Sequence, residues 1–219
     1  QDNRDDGHFM VHRVLVTPLR VVVRPAQLEA GNRMLRWLAP DRLLRVTFAE
    51  EHFGLMLRAS MSPDVRRRIR DTLRFGIVVG GQKFTMLAFS SGQLKNHSAW
   101  FFAEDGSLSA EQLRRQMGDF SLIQNPAKLA ARMGQCFSAT RVGTPIPLDW
   151  SSWKTEQDIV SEYGWCFSDG CGLISIELLQ EVVDHLKCIV APSALQIRLG
   201  GAKGVVVVDP SLPGRQLLT

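Results

Sequence analysis

A short stretch near the C-terminal end, residues 192–210, constrains the fold of this chain more than any other. Its first part alternates apolar residues with Gln196 and Arg198, which predicts a half-exposed β-strand. Gly200-Gly201 then supplies the backbone freedom of a close turn. The run 205–208 is apolar and β-branched, which favours a strand buried on both faces. We therefore predict a strand–turn–strand hairpin.

Two cations, Arg198 and Lys203, flank this turn. Glycine lets an anionic ligand approach the turn backbone, and cations fixed beside it are what a phosphate-binding turn needs. A structural hairpin with solvated charges has the same pattern. Both interpretations stay open from these residues alone.

Composition sets wide limits. The chain has 219 residues, 45% of them hydrophobic and 22% charged, which is typical of one large or two small globular domains. The net charge of +4 favours polyanionic partners slightly.

No apolar run approaches the ~20 residues of a membrane helix, so we expect no membrane partner. The four cysteines lack CxxC spacing, which argues against zinc and fits buried thiols in a reducing compartment. We expect an intracellular protein, in the nucleus or the cytoplasm. The first residue is not Met and no signal pattern follows, so we expect a piece of a longer protein.

Local patterns predict strands at 14–16, 21–23, 43–48, 77–79, 84–89, 98–102 and 165–167. They predict a helix at 27–38 and further helices after the N-cap residues Ser62, Ser109, Asn125 and Ser175. Strands dominate before and after a helical middle. This order predicts an α+β fold, a barrel with helices inserted between its strands.

The helix after Ser62 carries a basic stripe beside its apolar one. The stripe consists of Arg66, Arg70 and Arg74, at a spacing of four residues. It is either a solvated helix face or a surface that follows a phosphate backbone.

Motifs that would identify an enzyme by themselves are missing from the sequence. There is no Walker loop, no nucleophile elbow and no HExxH zinc motif. Asp5-Asp6 is an adjacent pair in a polar tail, and Asp169 is interpreted as a turn cap, so we assign no metal ligand. Lys95 follows a predicted strand and either contacts a phosphate or lies in water.

Seven stretches together resemble one family. They are VTPLR (16–20), NRMLR (32–36), LLRVTFAEE (43–51), FTMLAFSSGQLKNHSAWFF (84–102), NPAKLAARMGQCFSAT (125–140), FSDGCGLIS (167–175) and PSALQIRLGGAKGVVVVDP (192–210). In this order they resemble the cellular RNA-dependent RNA polymerases of eukaryotic RNA silencing. The resemblance implies a nucleotidyltransferase that synthesises complementary RNA, with RNA template, RNA product and nucleoside triphosphates as partners.

The family's fold is a core of two double-psi β-barrels, so the resemblance implies an α+β fold with a double-psi β-barrel and inserted helices. Residues 1–75 would be a small mixed α/β segment leading into the core. Residues 76–210 would form the first barrel, with a helical insertion at about 107–165, and residues 211–219 a tail. The rest of the polymerase, with its second barrel, would be a further partner.

The resemblance also implies roles for single residues. Lys203 would contact the triphosphate in catalysis, with Arg198 as its support. Lys95 is the preferred candidate for a second active-site lysine, and Lys187 is the other candidate. Gln93, Arg66 and Arg70 are further candidates for contacts with RNA or nucleotide.

One feature of the family is absent from the sequence. The Asp-x-Asp-Gly-Asp loop that binds Mg²⁺ occurs nowhere in the 219 residues, so we expect Mg²⁺ to be bound by residues outside them. The fragment alone would then be inactive. Two other functions stay open: a non-catalytic RNA-binding module, and a structural platform for the second barrel.

Overall fold

The computed structural model describes residues 7–57, 59, 61–141, 151–199 and 202–219. The chain divides into two compact units, Gln1–Arg141 (unit 1) and Val142–Thr219 (unit 2). Among the described residues, no helix combines the length and the apolar character needed to cross a bilayer.

Unit 1 is built on a six-stranded mixed sheet with the strand order β2-β1-β3-β6-β5-β4. Its strands are β1 (His8–Val16), β2 (Val21–Ala30), β3 (Leu43–Phe48), β4 (Ile77–Val79), β5 (Gln82–Ala88) and β6 (Ser98–Ala103). β1 and β3 are parallel, and the other neighbours are antiparallel. All six residues of β6 are buried, so this strand lies in the middle of the unit's core.

Helices cover both faces of this sheet. Helix α2 (Pro63–Phe75) packs its apolar residues against the face that includes Val46 and Phe101. The opposite face, around Trp100, packs against α1 (Arg33–Trp37), α4 (Ala110–Met117) and the 3-10 turn that follows α5 (Pro126–Gly134). A short helix, α3 (Ser91–Lys95), connects β5 to β6. Because strand side chains alternate between faces, one sheet supports two apolar layers.

Unit 2 has a five-stranded sheet in the order β7-β11-β8-β10-β9. The strands are β7 (Trp153–Lys154), β8 (Cys171–Ile174), β9 (Ala194–Leu199), β10 (Ala202–Val208) and β11 (Leu217–Leu218). Helix α6 (Ile176–His185) follows β8, and its residues Leu178 and Val183 fill the core of this unit.

The predicted helix starts are confirmed by their capping bonds. The Ser62 hydroxyl accepts a hydrogen bond from the N–H of Val65 at 3.2 Å, and Asn125 and Ser175 cap α5 and α6 in the same way. Ser109 and Gln112 form the predicted capping box. Each cap satisfies N–H groups that have no partner inside the helix, which is why these starts can be predicted locally.

The helix predicted at 27–38 is wrong over its first half. Residues from Gln27 to Ala30 continue β2 and pair with β1, so that Gln27 lies opposite Val11. The helix begins only after Asn32, whose side chain accepts hydrogen bonds from two backbone N–H groups of α1. Pairing with a strand of distant sequence overrides the local apolar spacing.

The strand predicted to be buried on both faces is also wrong. In β10, Val206 is 1% exposed, whereas Val205 and Val207 are 40% and 48% exposed. The core of unit 2 lies on one face of the hairpin only. The other face of β10 therefore presents valine side chains to solvent.

The six-stranded sheet includes strands from both sides of the boundary predicted at residue 75. Strands β4, β5 and β6 belong to the same sheet as β1, β2 and β3, because β6 pairs with β3. The two compact units divide after residue 141, and the domain bounds predicted at residues 75 and 210 stay a prediction. Strands β3 and β6 are far apart in the sequence, so local sequence patterns do not predict that they pair.

Candidate functional site

The predicted hairpin is confirmed as an antiparallel pair of β9 and β10. Its glycine turn, residues 200 and 201, lies outside the described residues. Lys203 is directly opposite Arg198 in the pairing, and both side chains are exposed. Directly opposed residues of two strands project from the same face, so the two cations share one surface.

The two cations have no direct charged partner among the residues that the structure describes. No ion pair or hydrogen bond connects a described residue to either the Lys203 ammonium or the Arg198 guanidinium. Like charges directly opposite each other destabilise a strand pair. A bound anion would remove that repulsion, which makes the surface suited to a phosphate group.

The backbone beneath Lys203 is held by a close contact between two glycines. The N–H of Val205 donates to the carbonyl oxygen of Gly170 at 2.7 Å. A Cβ on Gly204 would lie only 2.7 Å from that oxygen, so a side chain does not fit there. Gly170 itself has a φ of +70° and ends the turn that leads into β8. This contact positions the Lys203 backbone, while the Lys203 side chain bonds to none of the residues that the structure describes.

Gln93 and Lys95 both lie on α3, in different environments. The side chain of Gln93 is buried, and its Oε1 accepts a hydrogen bond from the Ser90 N–H at 2.8 Å, which completes a capping box. Lys95 is exposed at the end of the same helix. Lys187 follows α6 in unit 2 and is exposed, with a φ of +51°. The predicted RNA contact of Gln93 stays a prediction, and its oxygen already has a structural partner.

Arg66 and Arg70 line one groove on the surface of unit 1. The groove has a volume of about 460 Å³ and is lined by Met61, Arg66, Ile69, Arg70, Leu73 and Arg74. Its floor is aliphatic and its cations lie on successive turns of α2, as the predicted stripe requires. Arg66 also donates from Nε to the carbonyl oxygen of Met61 at 3.0 Å.

Sequence reasoning missed a second group of cations, near the turn between β1 and β2. The guanidinium carbons of Arg20 and Arg24 lie 5.4 and 5.8 Å from the centre of the Phe53 ring. Glu51 pairs with Arg20 at 3.3 Å. Hydrogen bonds from Thr17 and from the Leu19 N–H, together with the Arg20 charge, hold the pKa of Glu51 below its usual value. No local pattern marks this group, because its members come from separate segments.

The strand predicted at residues 165–167 is wrong. Cys166 forms an isolated bridge with Val160 and belongs to no named strand. Trp165 and Phe167 nevertheless alternate along this segment, just after Tyr163 in the preceding turn, and all three side chains are strongly exposed. That alternation of aromatic residues was the available signal.

The described residues do not fit a magnesium site. In that part of the chain, no three His, Cys, Asp or Glu side chains come close enough together to hold a metal ion. Mg²⁺ prefers several oxygen ligands, including carboxylates. Its assignment to residues outside the 219 therefore stays a prediction.

A sequence model of the family described as RNA dependent RNA polymerase matches residues 16–219. The chain is 42% identical to "RNA-dependent RNA polymerase 1" of Arabidopsis thaliana, covering 94% of the chain and 20% of that protein. It is 37% identical to "RNA-dependent RNA polymerase 1" of Schizosaccharomyces pombe, covering 91% of the chain and 17% of that protein. The chain thus spans about a fifth of the length of these curated relatives.

A solved structure has the same fold. It is the RNA dependent RNA polymerase QDE-1 from Thielavia terrestris, with a TM-score of 0.70 and 21% identity, covering 97% of this chain and 26% of that one. The predicted mixture of helices and strands is confirmed. The match is consistent with the double-psi β-barrel that the resemblance implied.

Proposed function

We propose, from the premise that this chain belongs to the RNA-dependent RNA polymerase family, that the intact protein copies an RNA template into complementary RNA. The product would serve RNA silencing, in the nucleus or the cytoplasm. The 219 residues would supply cationic groups for nucleotide and RNA. The metal-binding carboxylates would come from the remainder of the protein.

Lys203 and Arg198 would bind the triphosphate of the incoming nucleotide. In this reaction the 3′-hydroxyl of the growing strand loses its proton to water as its oxygen bonds to the α-phosphorus, and the bond from that phosphorus to the oxygen that bridges it to the β-phosphorus breaks. Pyrophosphate leaves, and negative charge on it increases as the bond breaks. Cations already in place stabilise that charge without rearranging, which is the main way that proteins accelerate phosphoryl transfer.

One observation carries this proposal. Lys203 and Arg198 are opposed on one exposed face of β9 and β10, and neither forms an ion pair with a described residue. The ammonium can follow a moving phosphate as a point charge, whereas the planar guanidinium can hold two oxygens at once. The pair is therefore suited to a flexible polyphosphate.

The test is Lys203→Ala in the intact polymerase. A hydrogen bond to a charged group contributes about 1.5–3 kcal/mol, so we expect apparent nucleotide affinity or turnover to fall by roughly 10- to 150-fold. Lys203→Arg keeps the charge and should retain part of the activity. Lys154→Ala removes an exposed lysine from β7 of the same unit and is the matched control. Wild-type kinetics for Lys203→Ala would remove Lys203 from the site.

A second function, RNA binding without catalysis, is supported by the groove on α2. Arg66, Arg70 and Arg74 line it together, which suits a phosphate backbone. A role as a platform for the second barrel is supported by the exposed Val205 and Val207 on β10. The groove uses side chains of unit 1, whereas Val205 and Val207 lie on the same face of β10 as Lys203, so a platform there would lie beside the proposed nucleotide cations.

A further inference from the structure

Residues 158–168 of unit 2 form a hydrogen-bonded hairpin whose tip, 162–167, is exposed throughout. The N–H of Phe167 donates to the carbonyl oxygen of Ile159 at 2.8 Å, and the N–H of Ser161 donates to that of Trp165 at 2.8 Å. The turn at its tip includes Gly164, with a φ of +79°. At the base, the Ser168 hydroxyl donates to Asp158 at 2.8 Å. These bonds give residues 158–168 a defined backbone geometry. We call this segment the aromatic hairpin.

The aromatic hairpin exposes an unusual amount of apolar surface. Trp165 is 71% exposed and Phe167 is 69% exposed, and Ile159 lies opposite Phe167 with 68% exposed. Because side chains alternate along an extended chain, these three residues share one face. Tyr163, at the tip, is 80% exposed. A contiguous apolar patch of this kind marks an interaction site.

The charges around this patch decide what kind of partner it suits. Asp158, Glu162 and Asp169 lie within or directly beside the aromatic hairpin, and no Lys or Arg occurs between residues 155 and 169. Proteins that stack bases on aromatic rings surround them with cations, because each nucleotide brings a phosphate. Within the aromatic hairpin itself the charge is negative, which disfavours RNA stacking on these rings, and the cations Lys203 and Arg198 belong to the neighbouring strands β9 and β10. The negative charge favours a protein surface with apolar residues flanked by Lys or Arg.

The aromatic hairpin is also close to the proposed nucleotide cations. Phe167 is three residues from Gly170, so their Cα atoms are at most about 11 Å apart. Gly170 accepts the hydrogen bond from Val205 and contacts the backbone of Lys203 and Gly204. Whatever binds the aromatic hairpin therefore lies near Lys203.

We propose that the aromatic hairpin is the docking surface for a segment of the same polymerase chain outside residues 1–219. That segment would carry aliphatic or aromatic residues flanked by Lys or Arg. The inference rests on the proposed function, and it is supported by length: the chain covers 20% of its relative from Arabidopsis thaliana and 26% of the matching solved chain. Docking at this place brings outside residues to the nucleotide cations.

The test is photo-crosslinking in the intact polymerase. Trp165→p-benzoylphenylalanine places a crosslinker on the patch, and Leu122→p-benzoylphenylalanine is the matched control on a side chain of unit 1 that is 93% exposed. We expect at least a fivefold higher yield of intramolecular crosslinks from position 165. Peptide mapping by mass spectrometry should place them outside residues 1–219, beside a Lys or Arg. A yield equal to that of the control, or crosslinks to RNA, to a second copy or within residues 1–219, would overturn the proposal.

Two further variants test the docking surface separately from the proposed nucleotide site. In the crosslinking protein, Lys203→Ala should leave the yield from position 165 within twofold, because docking does not use that ammonium. Glu162→Lys should lower the yield severalfold, because it places like charges against the partner. Loss of activity in Lys203→Ala with no outside crosslink would reject the docking surface alone. An outside crosslink with wild-type nucleotide kinetics in Lys203→Ala would reject only the nucleotide site.

Discussion

Asp105 shows how one exposed side chain can organise a turn in unit 1. Its carboxylate accepts hydrogen bonds from the Ser107 hydroxyl at 2.7 Å and from the N–H groups of Ser107 and Leu108, each at 2.9 Å. It also pairs with Arg42 at 2.8 Å. Arg42 in turn lies over the ring of Phe102 on β6. The turn after β6 is thereby connected to the segment before β3.

These bonds lower the pKa of Asp105 from 3.8 to about 2, the largest cause being the Ser107 hydroxyl. A depressed folded-state pKa means that the carboxylate stabilises the turn above pH 3.8, and that this contribution is lost as the pH falls toward 2. We expect Asp105→Asn to speed hydrogen exchange of the Ser107 and Leu108 amides at neutral pH. The ratio of variant to wild-type rates should approach one as the pH falls through this range.

Hydrogen exchange at matched pH values measures this ratio, since the intrinsic rates cancel. Asp71→Asn, on the exposed surface of α2, is the control and should leave the same two amides unchanged. A ratio that stayed constant from neutral pH to pH 2 would show that the ionised carboxylate does not hold the turn.

Helix α2 is the element that presents the most cationic charge in unit 1. It contains five arginines, and within the described residues an ion pair is found for Arg67 alone, with Asp64 at 2.9 Å. If α2 follows an RNA backbone, Arg66→Glu with Arg70→Glu should weaken binding of single-stranded RNA to the intact polymerase by at least tenfold. The slope of log K against log salt should become less steep by about 1.4, because each phosphate contact contributes about 0.7.

Fluorescence anisotropy with a labelled RNA over a salt series measures both quantities. Lys128→Glu with Arg132→Glu makes the same change of charge on α5 and is the control; both of its positions are exposed. Equal losses in the two double variants would mean that the effect is one of net charge and that α2 is not the contact surface.

The same helix shows what the sequence can predict about this fold. Its start at Ser62-Pro63 and its end at Gly76 depend on bonds within a few residues, so they were predicted correctly. The register that places Lys203 opposite Arg198 depends on the short connection between β9 and β10, so it could also be predicted from the sequence. The pairing of Gln27 with Val11 and the exposed face of β10 depend on which distant strand or core lies alongside, and no local pattern contains that information.

At the scale of the whole molecule, the two units have separate hydrophobic cores. The core clusters of unit 1 are drawn from residues 9–137, and that of unit 2 from residues 153–217. Proteins with separate cores often open in separate cooperative steps, since each core loses its burial as a block. The proposed nucleotide cations belong to unit 2 and the arginine groove to unit 1. A substitution that destabilises one core should therefore impair the function of that unit and leave the function of the other unit intact.

Leu178→Ala in the intact polymerase tests this separation. Leu178 is fully buried in the core of unit 2, and a Leu→Ala cavity costs about 2–5 kcal/mol. We expect faster hydrogen exchange in β8, β10 and α6, with the protection of β1, β3 and β6 unchanged. Leu87→Ala, which removes a buried leucine from unit 1, is the reciprocal variant and should affect only the six-stranded sheet. Loss of protection in both sheets from either substitution would mean that the cores unfold together, and that the nucleotide cations and the arginine groove share one stability.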